Sequence, residues 1–190
     1  METFEQHLNK FITLSDEEFA SVVSYFQVVE VKKKQNLMQE GDMCRFMYFV
    51  AKGCLRKFFI NEKGIEQTTE FAIENWWITD TFAYERQIKS NFFIQAVEKS
   101  TVLSIDFCGQ EKLLENHPVM ERYFRMIYQR AYAAAERRIR YLYEFSREEL
   151  YVHFSTRYPW FIQRIPQYLI ASFLGFTPEY LSEIRAKLRS

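Results

Sequence analysis

The chain has few of the residues that build disulfides or metal sites. Its cysteines are odd in number and widely spaced, which excludes a disulfide framework and gives no zinc-binding pattern; they are Cys44, Cys54 and Cys108. We interpret them as small buried hydrophobic residues, with a redox role as the alternative. The three histidines are scattered, and none falls within residues 28–107. The sequence therefore predicts neither a metal site nor an enzyme.

Long apolar runs are also missing. No run approaches the roughly 20 residues that span a bilayer, and the first residues, METFEQHLNK, contain no signal-peptide hydrophobic region. These absences predict a cytoplasmic protein without membrane association. Only five glycines and four prolines are present, so no flexible linker or repeat is visible. What the chain has in quantity is aromatic residues, 18% of the total, which predicts a folded core that packs many rings.

The formal net charge of zero hides an asymmetry along the chain. Residues 1–120 carry 13 basic and 18 acidic groups, a net charge of −5, whereas residues 121–190 carry 12 basic and 7 acidic groups, a net charge of +5. An acidic N-terminal part and a basic C-terminal part are typical of a sensor domain joined to a nucleic-acid-binding domain.

Hydrophobic periodicity divides the front of the chain. Residues 1–26 have apolar residues at helical spacing, and Ser15 with Glu18 forms a capping box for a second short helix. After that the period changes to two, in β-branched and aromatic runs separated by turn signals, and the last such run is residues 91–107. The pattern predicts an α+β fold in which residues 1–117 form an antiparallel β-roll or barrel with N-terminal helices.

One long helix is predicted over residues 118–145, because no helix breaker interrupts it after Pro118. At 1.5 Å per residue it is roughly 40 Å long, too long for the interior of a small domain. Apolar residues recur along it at alternating spacings of three and four, with Arg138 as the only charge, and such a stripe can join two helices in a homodimer. The alternative is that the stripe packs on the protein's own β-roll. The predicted dimer interface consists of Phe124, Ile127, Ala131, Ala134 and Tyr141.

The tail, residues 146–190, is predicted to contain two short helices that meet at Gly175, since glycine ends a helix at little conformational cost. Thr177 is a natural N-cap, and Pro178 fits the first position of the next helix. This arrangement is typical of a helix-turn-helix, whose second helix enters the major groove of DNA. An ordinary helical hairpin is the alternative. The residues predicted to contact DNA are Thr177, Glu179, Tyr180, Ser182, Glu183, Arg185 and Lys187.

Two stretches carry a family resemblance. IASFLGFTPEYLSEIRAKL, residues 170–188, looks like the DNA-recognition unit of the cyclic-AMP receptor protein (Crp/Fnr) family of bacterial transcriptional regulators. Residues 40–59 are similar to the early strands of that family's cyclic-nucleotide-binding β-roll, with Gly41, Gly53 and Arg56 in their usual places. The resemblance covers most of the chain. It implies a sensor β-roll, a dimerisation helix and a C-terminal helix-turn-helix domain.

The sequence departs from the family pattern at the residues that bind the cyclic nucleotide. Nucleotide-binding members have a Gly-Glu pair for the ribose and an Arg followed by Ser or Thr for the cyclic phosphate, and neither is present here. Ser90 stands in place of the arginine, and an anion buried without a cation is costly, so cyclic AMP is not expected in the usual mode. Aromatic residues nearby form either packed core or a cavity for another small effector. The residues of that weakly predicted pocket are Trp77, Thr79, Arg86, Ser90 and Asn91.

We therefore expect a homodimeric DNA-binding transcriptional regulator without a cofactor. Its expected partners are double-stranded DNA, a second copy of the chain and an unidentified small-molecule effector. Two outward positions that are often Arg in the family are Pro178 and Glu183 here, so its DNA target should differ. The alternative is a small-ligand-binding or protein-interaction module with the same fold that has lost DNA binding.

Overall fold

The structure is a computed structural model and describes residues 1–188. The helices are α1 (Glu2–Leu8), α2 (Asp16–Val23), α3 (Thr81–Arg86), α4 (Phe107–Asn116), α5 (Val119–Glu144), α6 (Arg147–Arg157), α7 (Pro159–Arg164), α8 (Gln167–Leu174) and α9 (Pro178–Lys187). The strands are β1 (Gln27–Val31), β2 (Asn36–Met38), β3 (Phe46–Lys52), β4 (Leu55–Ile60), β5 (Glu66–Ala72), β6 (Trp77–Ile78), β7 (Phe93–Ala96) and β8 (Ser100–Asp106).

Two compact units make up the chain. The first unit contains residues 1–59 and 69–128, and the second unit contains residues 60–68 and the chain from residue 129 onward. The division therefore falls within α5, whereas the sequence-based boundaries lie at 117/118 and 145/146. The predicted C-terminal domain includes residues 189 and 190, which lie outside the described residues.

The strands form two four-stranded antiparallel sheets, in the spatial orders β1-β8-β3-β6 and β2-β7-β4-β5. In the first sheet, Val29 lies opposite Val102, and Phe49 lies opposite Leu103. Buried side chains from both sheets, such as Phe49 and Ile94, belong to one hydrophobic cluster, so the sheets share a core. The predicted α+β fold with an antiparallel β-roll is confirmed.

Strand β3 lies in the middle of its sheet, between β8 and β6, and is buried from Met47 to Val50. A continuous apolar run of this kind suits a strand that is covered on both faces. Gly53 follows the strand with a φ of +101°, and a Cβ at this position would lie 2.7 Å from the Cα of Ser100. The turn therefore requires glycine both for its backbone conformation and for its close approach to β8.

A small polar network lies inside the otherwise apolar core of the first unit. Trp77 Nε1 donates to the Tyr123 hydroxyl at 2.8 Å, and that hydroxyl lies 3.0 Å from His7 Nδ1. Burial raises the pKa of Tyr123, so its phenol stays neutral and available for hydrogen bonding. The network joins α1, β6 and the start of α5 with polar groups that satisfy one another.

Helix α5 begins and ends within one residue of the prediction. Helices α3, α6 and α7 were not predicted. The first has only six residues, which is too short for a periodic pattern, but α6 begins with a capping box, Ser146 with Glu149, that was readable in the sequence. Among residues 1–188, no helix is long and apolar enough to cross a membrane.

Candidate functional site

Helices α8 and α9 form a hairpin whose turn follows the local sequence signals. Gly175 has a φ of +77°, and the N–H of Phe176 donates to the carbonyl of Ala171 at 2.8 Å, which closes the end of α8. Thr177 Oγ1 accepts from the N–H of Tyr180 at 3.2 Å and so caps α9. The predicted glycine stop, threonine cap and helix start are all confirmed.

The two faces of α9 differ in burial. Leu181 and Ile184 are 1% exposed and pack inward, together with Ile170 and Ala171 of α8, which are fully buried. All seven residues predicted to contact DNA lie on α9 or at its cap. Five of these are exposed, Thr177, Glu179, Ser182, Glu183 and Lys187, and two are partly buried, Tyr180 and Arg185. The hairpin thus has an apolar inner side and a polar outer side.

Residues at the start of α6 add charge beside α9, and sequence reasoning missed them. Lys187 Nζ lies 2.9 Å from Glu148 Oε1, and this hydrogen bond raises the pKa of Lys187. The Arg147 guanidinium lies over the Tyr180 ring at 5.7 Å, within the range of a cation–π contact. Charged side chains of α6 therefore contribute to the electrostatic potential at the outer side of α9.

Within the second unit, α8 is fixed by hydrogen bonds at its last turn. The Ser172 hydroxyl accepts from the N–H of Thr68 at 2.8 Å and donates to the carbonyl of Glu66 at 2.7 Å. Arg138 Nη2 donates to the Phe173 carbonyl at 2.8 Å, and its guanidinium lies 3.9 Å from the Phe173 ring centroid. This contact explains why a charged residue lies on the predicted interface stripe of α5.

The five predicted interface residues of α5 have different surroundings. Phe124 is buried in the core of the first unit, and Ile127 is partly buried against the same core. Ala131 and Ala134 are exposed. Tyr141 is partly buried, with the His153 ring centroid 4.5 Å away. Only the two alanines therefore lie fully on the surface of the protomer.

The five predicted effector-pocket residues also differ in burial and do not all face one environment. Trp77 packs among the aromatic rings of the core, and its ring centroid lies 5.5 Å from that of Phe124. Thr79 and Ser90 are buried, whereas Arg86 and Asn91 are exposed. The Arg86 guanidinium lies over the Phe82 ring at 4.5 Å.

A closed hydrogen-bond network surrounds Asp80, a residue that sequence reasoning did not single out. Its carboxylate accepts from the Ser90 hydroxyl at 2.8 Å and from the N–H of Ala83 at 3.3 Å, which caps α3. Lys57 Nζ donates to the Thr79 carbonyl at 2.9 Å and lies 2.7 Å from a Glu70 carboxylate oxygen. The nearby ammonium is thus already paired with an acidic group of the protein.

Comparison with known proteins defines the class of the β-roll. Residues 28–117 match the family described as Cyclic nucleotide-binding domain. The regulatory protein HlyX of Actinobacillus pleuropneumoniae is 26% identical over an alignment that covers 93% of this chain and 78% of HlyX. These matches confirm the resemblance to the Crp/Fnr-type transcriptional regulators, and residues 28–117 are similar to a cyclic nucleotide-binding domain.

Solved structures agree on the fold. FixK2 from Bradyrhizobium japonicum has a TM-score of 0.70 at 16% identity, covering 86% of this chain and 84% of FixK2. The Catabolite Activator Protein of Thermus thermophilus has a TM-score of 0.57 at 20% identity, covering 93% of this chain and 84% of that protein. The similarity therefore includes the helices that follow the β-roll.

The residues present do not fit a cyclic nucleotide in the manner that the domain's name implies. The Ser90 hydroxyl is hydrogen-bonded to the Asp80 carboxylate, which is itself 8% exposed. A cyclic phosphate next to this pair would face a buried negative charge instead of a cation, and such a pairing is costly. The ammonium of Lys57, which belongs to the same network, is already paired with Glu70.

Proposed function

We propose that the protein binds double-stranded DNA through α9 and regulates transcription as a homodimer. The observation that carries the proposal is the capped α8–α9 hairpin, with its inner face buried and a row of polar side chains left exposed on its outer face. The excess of basic residues in the last part of the chain supports the same proposal, because phosphates dominate affinity for DNA.

Readout by α9 is expected to differ from that of an arginine-rich helix. The Glu179 carboxylate can accept from the amino group of cytosine, while Arg185 and Lys187 supply positive charge for phosphates or guanine. Glu183 is repelled by phosphates unless a base donor meets it. The proposed target is therefore a sequence in which cytosine amino groups face the acidic part of the helix.

Dimerisation is proposed through the exposed side of α5, in a register shifted by one residue from the sequence-based stripe. The exposed apolar residues follow spacings of four and three. They are Tyr128, Tyr132, Ala135, Ile139 and Leu142. An Ile139→Glu substitution should convert the dimer to monomer in sedimentation velocity, and an unchanged dimer would reject this register.

Cyclic AMP is not proposed as the effector, because Ser90 bonds the Asp80 carboxylate and the Lys57 ammonium of this network is already paired with Glu70. If a small effector acts, we expect it to bias the relative placement of the two α9 helices in the dimer. Titration calorimetry with cyclic AMP should give no binding heat. Saturable binding at micromolar concentration would contradict this part of the proposal.

The test of DNA binding uses the double substitution Arg185→Ala and Lys187→Ala in the full chain. Loss of two phosphate-directed charges should lower duplex affinity at least about tenfold and reduce the steepness of its salt dependence by about two. The matched control is Lys10→Ala with Lys112→Ala, two exposed lysines of the first unit. Equal DNA affinity for the α9 variant and wild type would show that α9 does not contact the DNA.

A second candidate function is a ligand-binding or protein-interaction module without DNA binding. It is favoured by one observation: α9 has two exposed carboxylates, Glu179 and Glu183, and its Lys187 is paired with Glu148. This candidate predicts that wild-type protein lacks salt-dependent affinity for any duplex. The DNA experiment therefore distinguishes the two functions.

A further inference from the structure

A basic cleft lies in the first unit, beside the turn between β1 and β2. Lys32, Lys33 and Lys34 line it from that turn, and Lys99 lines it from the segment before β8. Its volume is about 840 Å³. We refer to this surface as the lysine cleft. Two separate parts of the chain thus bring four ammonium groups to one concave surface.

The turn that carries three of these lysines is held in a fixed conformation. Lys34 has a φ of +66°, a left-handed backbone that residues with a Cβ rarely adopt. Its N–H donates to the Ala96 carbonyl at 2.8 Å, and the N–H of Lys32 donates to Gln35 Oε1 at 2.9 Å. Such backbone strain concentrates at functional sites. The backbone that carries these lysines is therefore held in place by the fold.

The charges in the lysine cleft lack partners within the part of the chain that the structure describes. Among residues 1–188, none of the four lysines forms a salt bridge. Glu30 is the one carboxylate among the lining residues, and its Oε1 accepts from the Thr101 hydroxyl at 2.7 Å. Four like charges in one cleft repel one another, so a bound anion would relieve the repulsion.

We propose that the lysine cleft binds an acidic segment of a partner protein. Four ammonium groups on one surface of about 840 Å³ complement the charge of several carboxylates on one short segment. Lysine ammonium groups are flexible point charges, so they suit carboxylates on a polypeptide without demanding one fixed geometry.

The surroundings of the lysine cleft favour a short acidic segment over other anions. Among the described residues, none of those that line the cleft is aromatic, so a nucleotide base would find no stacking partner there. Residues 1–120 carry a net charge of −5, and a long polyanion such as duplex DNA would therefore meet repulsion around the cleft. A short segment contacts the four lysines without covering the acidic surface.

Fluorescence anisotropy with a labelled peptide of ten glutamates tests the proposal, with a peptide of ten glutamines as the uncharged probe. Wild-type full chain should bind the glutamate peptide, more weakly as salt rises from about 50 to 200 mM. Lys33→Glu with Lys99→Glu should weaken binding at least about tenfold. The control, Lys10→Glu with Lys112→Glu, makes the same change in net charge at exposed sites outside the cleft and should weaken it less than about twofold.

Four results would overturn the proposal. No binding of the glutamate peptide to wild type rejects the cleft as a docking surface. Equal weakening by both double variants shows a general charge effect. Displacement of the peptide by inorganic tripolyphosphate at equal charge assigns the cleft to a phosphorylated small molecule. Loss of random-duplex binding in the cleft variant, but not in its control, assigns the cleft to nucleic acid.

Discussion

The outer face of α9 and the network around Asp80 differ in how their polar groups are satisfied. On α9, Glu179, Glu183 and Arg185 project from a helix whose stability comes from its buried inner face. Around Asp80, a carboxylate, a hydroxyl and backbone groups bond one another and are shielded from solvent. The first arrangement leaves hydrogen-bonding capacity for an outside partner. The second uses that capacity within the protein.

The largest expected effect separates the inner from the outer face of α9. Leu181→Ala removes a side chain that is 1% exposed and should cost about 2–5 kcal/mol of the free energy of unfolding. Glu179→Ala, on the exposed face, should change it by less than about 0.5 kcal/mol. Urea denaturation of the full chain measures both. Similar costs for the two variants would mean that the faces are assigned wrongly.

The next effect tests whether the Asp80 network is closed. Asp80→Ala removes the cap of α3 and leaves the buried Ser90 hydroxyl without its acceptor, so unfolding should become easier by about 1–3 kcal/mol. Glu85→Ala is the control, because it changes an exposed carboxylate on the same helix. The thermal midpoint of each variant reports the difference. An Asp80 variant as stable as the control would show that the carboxylate is not needed inside the protein.

A smaller effect concerns the anchor of α8. Ser172→Ala removes hydrogen bonds to Glu66 and Thr68 and should destabilise the second unit by about 1 kcal/mol. Ser182→Ala removes a hydroxyl that bonds only within α9, to Pro178, and should have a smaller effect. Hydrogen exchange of α8 amides detects the difference. Unchanged protection in the Ser172 variant would contradict the anchoring role.

The smallest effect is a pH dependence at the start of α6. Hydrogen bonds from Ser146 lower the pKa of Glu149, so its contribution to stability is present above the unfolded pKa of about 4.5 and is lost as pH falls through the lower folded value. Glu149→Gln should therefore lose less stability than wild type between pH 7 and pH 3. Denaturant midpoints at several pH values measure this, with Glu179→Gln as the control. Parallel curves for Glu149→Gln and wild type would refute it.

Local signals were readable from the sequence because each one acts within a few residues. Ser15 with Glu18, Gly175 and Thr177 cap their helices as predicted. The surroundings of α5 were not readable in the same way, because the burial of Phe124 depends on which face of the helix the β-roll covers.

Contacts between distant residues explain what sequence reasoning missed. Three such contacts join elements that are separate in sequence. They are the hydrogen bonds of Ser90 with Asp80 and of Trp77 with Tyr123, and the ion pair of Lys187 with Glu148. Composition and periodicity contain no record of such pairings. The β-roll was therefore predictable as a fold, whereas the closure of its candidate pocket required the structure.

Selection of genomic fragments by the purified full-length protein tests the central claim most directly. We expect enrichment of fragments that contain two inverted half-sites about one helical turn apart, and loss of this enrichment for the Arg185→Ala, Lys187→Ala double variant. Enrichment should not require cyclic AMP. If wild-type protein enriches no fragment, or enriches the same fragments as the double variant, α9 does not read DNA.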